Sequence, residues 1–163
     1  DLAFVTLPQE HADLVVRELH RDEMIWITAP DHPLAGRRRV PAERLAGEMV
    51  IQHGGDSVSR REIEGALQRE GLVVGVAMEV SSPEAIRELV ALGLGIAPLT
   101  RSQVQGDLRN GRLGSFRVAG LRIFRRSGLI HRRDAPDLRA AAALLALLPK
   151  GSASSPASPT SRA

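Results

Sequence analysis

The 163-residue sequence predicts an α/β fold with mostly parallel sheets and crossover helices. Short apolar runs bounded by proline or glycine alternate with well-marked helix starts through most of the chain. Hydrophobic residues make up 43% and charged residues 25%, which suits a water-soluble folded domain.

Leu2 to Leu7 (LAFVTL), ended by Pro8, reads as a buried strand. Glu18 to Ala29 contains a second, with Met24-Ile25-Trp26-Ile27 leading to Pro30. Pro33 keeps the following DHPLAG segment out of helix, so it is a turn. Val40 to Leu45 reads as a short helical turn, and Met49 to Gln52 as a third strand before the loop His53 to Ser57. Ser59, with Glu62 three residues on, forms a capping box for a helix whose stripe is Ile63, Ala66 and Leu67 and whose end is Gly71. Val73 to Val80 reads as a strand. Ser82 then caps a second helix, with Pro83 at its first position, Glu84 in its first turn, and Ile86, Leu89 and Val90 facing inward. Gly93 to Ala97 closes that helix and starts a strand expected to end at Pro98. Gly111 to Val118 and Gly128 to His131 are further strands. A last helix follows Asp134, with Leu138, Ala141, Ala142, Leu145 and Leu148 at helical spacing, and 149–163 is a Ser/Ala/Pro tail without an apolar period.

The absence of cysteine removes disulfides, thiolate metal sites and cysteine nucleophiles. Aromatics at 2% argue against a base-stacking nucleic-acid platform. The net charge is +3, nearly all of it arginine interspersed with acids, which reads as a mixed charged surface. No run approaches the roughly 18 apolar residues of a membrane span. No G-x-S-x-G elbow occurs, and His11, His20, His32, His53 and His131 show no one-turn pair for a metal. No catalytic residue, metal or cofactor is expected. His32 belongs to the D-H-P turn.

Binding is better served. The loops Gly54-Gly55-Asp56-Ser57-Val58-Ser59 and Val80-Ser81-Ser82-Pro83 each lead into a helix start, where free N–H groups and the positive end of the dipole favour a small anion. Plain capping by Ser59 and Ser82, with nothing bound, is the other reading of the same residues. The runs Arg37-Arg38-Arg39, Arg60-Arg61, Arg125-Arg126 and Arg132-Arg133 read mostly as solvated faces.

The order of segments adds a family. DLAFV at the start, PDHPLAG at 30–36, SVSRREIEGALQREG at 57–71, MEVSSPEAIRELVALGLGIAPL at 78–99, GRL at 111–113 and LIHRRDAPDLRAAAALLALL at 129–148 resemble the effector-binding region of LysR-type transcriptional regulators. The resemblance implies a type II periplasmic-binding-protein-like fold: two lobes joined by crossing strands, with an effector in the cleft. It assigns 1–46 and 121–148 to a first, incomplete lobe, 47–120 to the second, and 149–163 to a disordered tail. The effector contacts it implies are Thr6, Ser57, Ser59, Ser81, Ser82 and Pro83.

The same resemblance implies a cytoplasmic regulator that binds a small-molecule effector and works as a homodimer or homotetramer, without membrane contact; the hydroxyls and arginines of this sequence lean toward a small acidic metabolite. Effector binding would alter the lobe angle and shift the oligomer equilibrium. Promoter DNA would be read only through an N-terminal helix-turn-helix domain that lies outside these residues. The start at Asp1, inside an apolar run and without Met, is expected of a fragment, with Leu2, Phe4 and Ile25 left exposed and solubility poor. A transporter solute-binding protein of the same fold is the runner-up, and an enzyme on that fold a distant third.

Overall fold

The computed structural model describes residues 2–8 and 11–134. The expected last helix beyond Asp134 and the tail at 149–163 lie outside the described residues. Two compact units emerge. One takes in the described residues up to Arg21 and from Arg126 onward, and the other is Asp22–Arg125. The chain passes between them inside two strands, β2 (Leu14–Thr28) and the late strand Ile123–Arg132, which the numbering below makes β7. The lobe boundaries expected at 46/47 and 120/121 both fall inside the second unit.

In the first unit β1 (Leu2–Leu7) runs antiparallel to β7, in register from Leu2 opposite His131 to Leu7 opposite Arg126. β7 in turn neighbours β2, and Gly128 lies against the Arg17 carbonyl with no room for a Cβ. Phe4 is 66% exposed, as expected, and Leu2 is half-buried.

The second unit explains why β2 changes character along its length. Its first half, LVVRELHR, is mixed, whereas MIWI at 24–27 is apolar throughout. Successive side chains of a strand point to opposite faces, so an unbroken apolar run needs both faces covered. Met24 and Trp26 join one core cluster, with Val50, Ile63, Leu67, Ile96 and Phe116. Ile25 and Ile27 join the other, with Ile51, Ile86, Val90, Leu99 and Val104. Ile25 is therefore not an exposed residue but a core one, 1% accessible, because helices pack on its side of the sheet. Each such aliphatic side chain contributes roughly 1.5–3 kcal/mol on burial.

A short 3-10 helix spans Ala42–Gly47, where the helical turn was expected. Then β3 (Val50–Gln52), α1 (Val58–Arg69) and β4 (Val76–Glu79) form a strand-helix-strand unit in which β3 and β4 are parallel. α1 inserts Ile63, Ala66 and Leu67 into the first cluster. α2 (Pro83–Ala91) inserts Ile86 and Val90 into the second, so the two helices cover opposite faces. β5 (Ala97–Thr100), α3 (Arg101–Arg109) and β6 (Gly114–Phe116) complete the unit.

Three expectations need correction. The sheets are not mostly parallel: β5 and β6 both run antiparallel to β2, and β1 runs antiparallel to β7. Parallel order arises where a helix carries the chain back to the starting edge, and β2 is followed instead by a turn-rich segment. The strand expected to end at Pro98 continues to Thr100, with Pro98 opposite Trp26, a position that tolerates the missing N–H. α3 was not anticipated. Its inward side chains are only the buried Val104 and, one turn on, the partly buried Leu108, and its start is marked by Thr100 and Gln103, whose side-chain Oε1 accepts from the Thr100 N–H (3.3 Å) and hydroxyl (2.7 Å). Among the described residues no helix is long and apolar enough to cross a membrane, and no group of three or more His, Asp and Glu side chains is placed to hold a metal.

Candidate effector site

Because β3 and β4 are parallel, their C-terminal ends lie on the same edge, and the loops that leave them are brought together. The Val80 N–H donates to the Gln52 carbonyl at 2.9 Å, and the His53 ring hydrogen-bonds the backbone of Ser81. The serines read from sequence therefore fall into one neighbourhood of the second unit. Ser57 and Ser59 stand at the start of α1, and Ser81, Ser82 and Pro83 at the start of α2. Thr6 lies in β1 of the first unit, opposite Ser127 in β7.

The two starts differ. At α2 the expected cap is present: Ser82 Oγ accepts the Ala85 N–H at 3.3 Å, and Pro83 occupies the first position, where its missing N–H costs nothing. The Ser82 hydroxyl hydrogen goes to Glu84 Oε2 at 2.7 Å. That bond, then the Glu84 backbone N–H, holds the Glu84 carboxyl below its ordinary value of 4.5. The positive end of α2 already has a carboxylate of its own.

At α1 the expected capping box does not form. The helix begins at Val58, so Ser57 is the cap residue and Ser59 lies inside the first turn, out of position to cap it. Ser57 makes no side-chain cap bond. Among the described residues, the N–H groups of Val58, Ser59 and Arg60 find no acceptor, and neither serine hydroxyl has a partner. The first turn has no acid and two arginines. Arg60 is held firmly charged by its bonds to Glu64, at 2.7 Å, and to Glu79, and also reaches the His53 carbonyl at 3.3 Å. Arg61 donates to the Asp56 carbonyl at 3.0 Å and pairs with no carboxylate among the described residues.

Two participants were not singled out from sequence. Partial burial of His53, then the charge of Arg125, lower its pKa below 6.5, against the opposing pull of Ser81 and Glu84. Arg125, read as part of a solvated run, is half-buried in β7, and its Nε is buried without a hydrogen-bond partner. The only signal for His53 was its place directly after a strand and before Gly54-Gly55. Arg125 had none beyond its neighbour Arg126, which instead approaches Glu18 at 3.8 Å. His32 is spoken for by its turn: Nδ1 accepts the Leu34 N–H at 3.2 Å, and Nε2 faces Glu48 at 3.3 Å.

The start of α1 is thus uncapped and flanked by arginine, whereas the neighbouring start of α2 is capped by its own residues. Residues 1–152 match the LysR substrate binding domain family, and the chain belongs to it. This is the effector-binding domain of LysR-type regulators. The chain is 33% identical over 138 residues to the HTH-type transcriptional regulator CbbR of Cereibacter sphaeroides, a match covering 83% of this chain and 44% of the relative. It is 29% identical over 134 residues to the transcriptional activator CmpR of Synechocystis, covering 82% and 44%. The chain thus spans less than half the length of the curated relatives it matches. Among solved structures, the Synechocystis CcmR regulatory domain in complex with 2-PG superposes with a TM-score of 0.80 at 26% identity, covering 90% of this chain and 70% of that one. The fold is of the periplasmic-binding-protein-like type expected from the sequence.

Proposed function

We propose that this domain senses a small acidic metabolite whose carboxylate or phosphate group docks on the first turn of α1, against the N–H groups of Val58, Ser59 and Arg60 and the hydroxyls of Ser57 and Ser59. The observation that carries this reading is the uncapped α1 start, which leaves donors and hydroxyls unengaged beside a cation, Arg61. Ser81, Ser82 and Pro83 shape the neighbouring wall. Thr6 keeps its place in the proposal on the family resemblance alone. No catalytic role is assigned: the relatives named above are transcriptional regulators.

In the whole protein the sensed molecule would change promoter binding by a separate DNA-reading domain, within a cytoplasmic homodimer or homotetramer. The family lobes implied by the resemblance, 1–46 with 121–148 and 47–120, belong to the same proposal. Thermal-shift screening of the full-length regulator against small organic acids, with 2-PG tried first, is the direct test. Changing Ser57, Ser59, Ser81 and Ser82 to Ala should abolish the transcriptional response to any acid that stabilises the protein. An unchanged response would refute the assignment of these serines.

A further inference from the structure

The second unit carries an arginine-walled cavity apart from the serine loops. Its volume is about 430 Å³; Arg37, Arg38, Arg101 and Arg117 line it, with the buried Ile25 and Phe116 at its base. No carboxylate is among its lining residues. Arg101 and Arg117 share one acid, Glu23, at 3.8 and 2.7 Å. Arg37 donates through Nε to the Pro33 carbonyl at 3.1 Å, and Arg38 has no partner among the described residues. A smaller cavity of about 170 Å³ shares Arg38 and Arg117 and adds Arg39 and Arg122, neither of them ion-paired among the described residues.

Surface cations are ordinarily interspersed with acids, because clustered like charges repel. Here they gather round one concavity with a single carboxylate between them, so the potential inside it favours anions. The planar fork of arginine offers paired donors that match phosphate or carboxylate oxygens. The cavity volume falls within the roughly 300–1,000 Å³ of small-molecule sites. A nucleic-acid face is less well served: the aromatic ring at the site, Phe116, is buried and cannot stack on a base.

We infer that this cavity is a second anion site, distinct from the α1 start, that takes a compact ligand of the polyphosphate class. The four guanidinium groups ask for several clustered negative charges, more than one carboxylate supplies.

Calorimetric titration of the chain with inorganic triphosphate, in about 150 mM salt so that weak surface attraction is screened, tests this. The expected result is saturable binding that weakens at least about tenfold in Arg38→Gln, the loss of one charge-assisted hydrogen bond, and is unchanged in Arg69→Gln, an exposed arginine that lines neither cavity. Arg38→Gln breaks no side-chain hydrogen bond or ion pair among the described residues, so its fold should be intact; Arg117→Gln, which also releases Glu23, should weaken binding similarly. Absence of saturable binding, equal affinity in Arg38→Gln, tighter binding of citrate than triphosphate, or displacement of triphosphate by duplex DNA at lower concentration would each overturn the inference.

Discussion

Ser82 donates its hydroxyl hydrogen to the Glu84 carboxylate at 2.7 Å while accepting the Ala85 N–H at 3.3 Å, so the start of α2 is closed by its own residues. Ser57, in the corresponding place on α1, does neither. Two serine-led helix starts that look alike in sequence thus have different work: one caps, the other is open.

That difference separates stability from ligand response. Ser82→Ala should lower unfolding free energy by about 1 kcal/mol, the usual loss of a capping side chain. Ser57→Ala should change it by less than about 0.5 kcal/mol, as for a surface position without a partner. Urea denaturation of the two variants checks this; equal destabilisation would show that α1 is capped after all.

The histidine between the loops gives a pH signature. Because the folded pKa of His53 is lowered by burial first and by Arg125 second, the unfolded chain takes up a proton more readily than the folded one as pH falls past 6.5. Stability from this group is full above 6.5 and is lost as pH falls through the folded value. Urea midpoints should therefore drop between about pH 7.5 and 5.5, a window in which carboxylates stay ionised, and His53→Gln should flatten that drop. An identical slope in the variant would place the effect elsewhere.

β3 depends on the close approach of Gly95. The Ile96 N–H donates to the Met49 carbonyl at 2.8 Å and the Ile51 N–H to the Ile96 carbonyl at 2.9 Å, and a Cβ on Gly95 would collide with that Met49 oxygen. Gly95→Ala should destabilise by about 1–3 kcal/mol, because backbone rather than a flexible side chain must give way. A thermal midpoint equal to the parent's would contradict this packing.

Ile25 tests the core assignment. At 1% exposure inside the second cluster, Ile25→Ala should cost about 2–5 kcal/mol. A change of a few tenths would restore the expectation that this face is bare.

Periodicity and punctuation made most elements legible. The Ile63, Ala66 and Leu67 stripe, the Ser82-Pro83-Glu84 start and the MIWIT run all carry local signals that tertiary structure preserved. Three things were not local. Strand direction depends on where connections return the chain, which the element order does not state. The boundary of α1 shifted because Ser57 and Ser59 are both acceptable caps, and which one is used follows from the loop leaving β3. α3 offers only Val104 and Leu108, one turn apart, as an inward face among polar residues, too short a stripe to announce it without the Thr100 and Gln103 start. At the site, serines at helix starts were readable as types, whereas His53 and Arg125 come together only through the fold of distant segments.

Backbone amide NMR during titration with the tightest-binding acid from the screen examines the open helix start most directly. The account predicts that the largest shifts fall on Val58, Ser59 and Arg60, with the Ala85 amide little changed because Ser82 already holds it. Shifts centred on α2 or on the arginine-walled cavity, with the first turn of α1 silent, would contradict it.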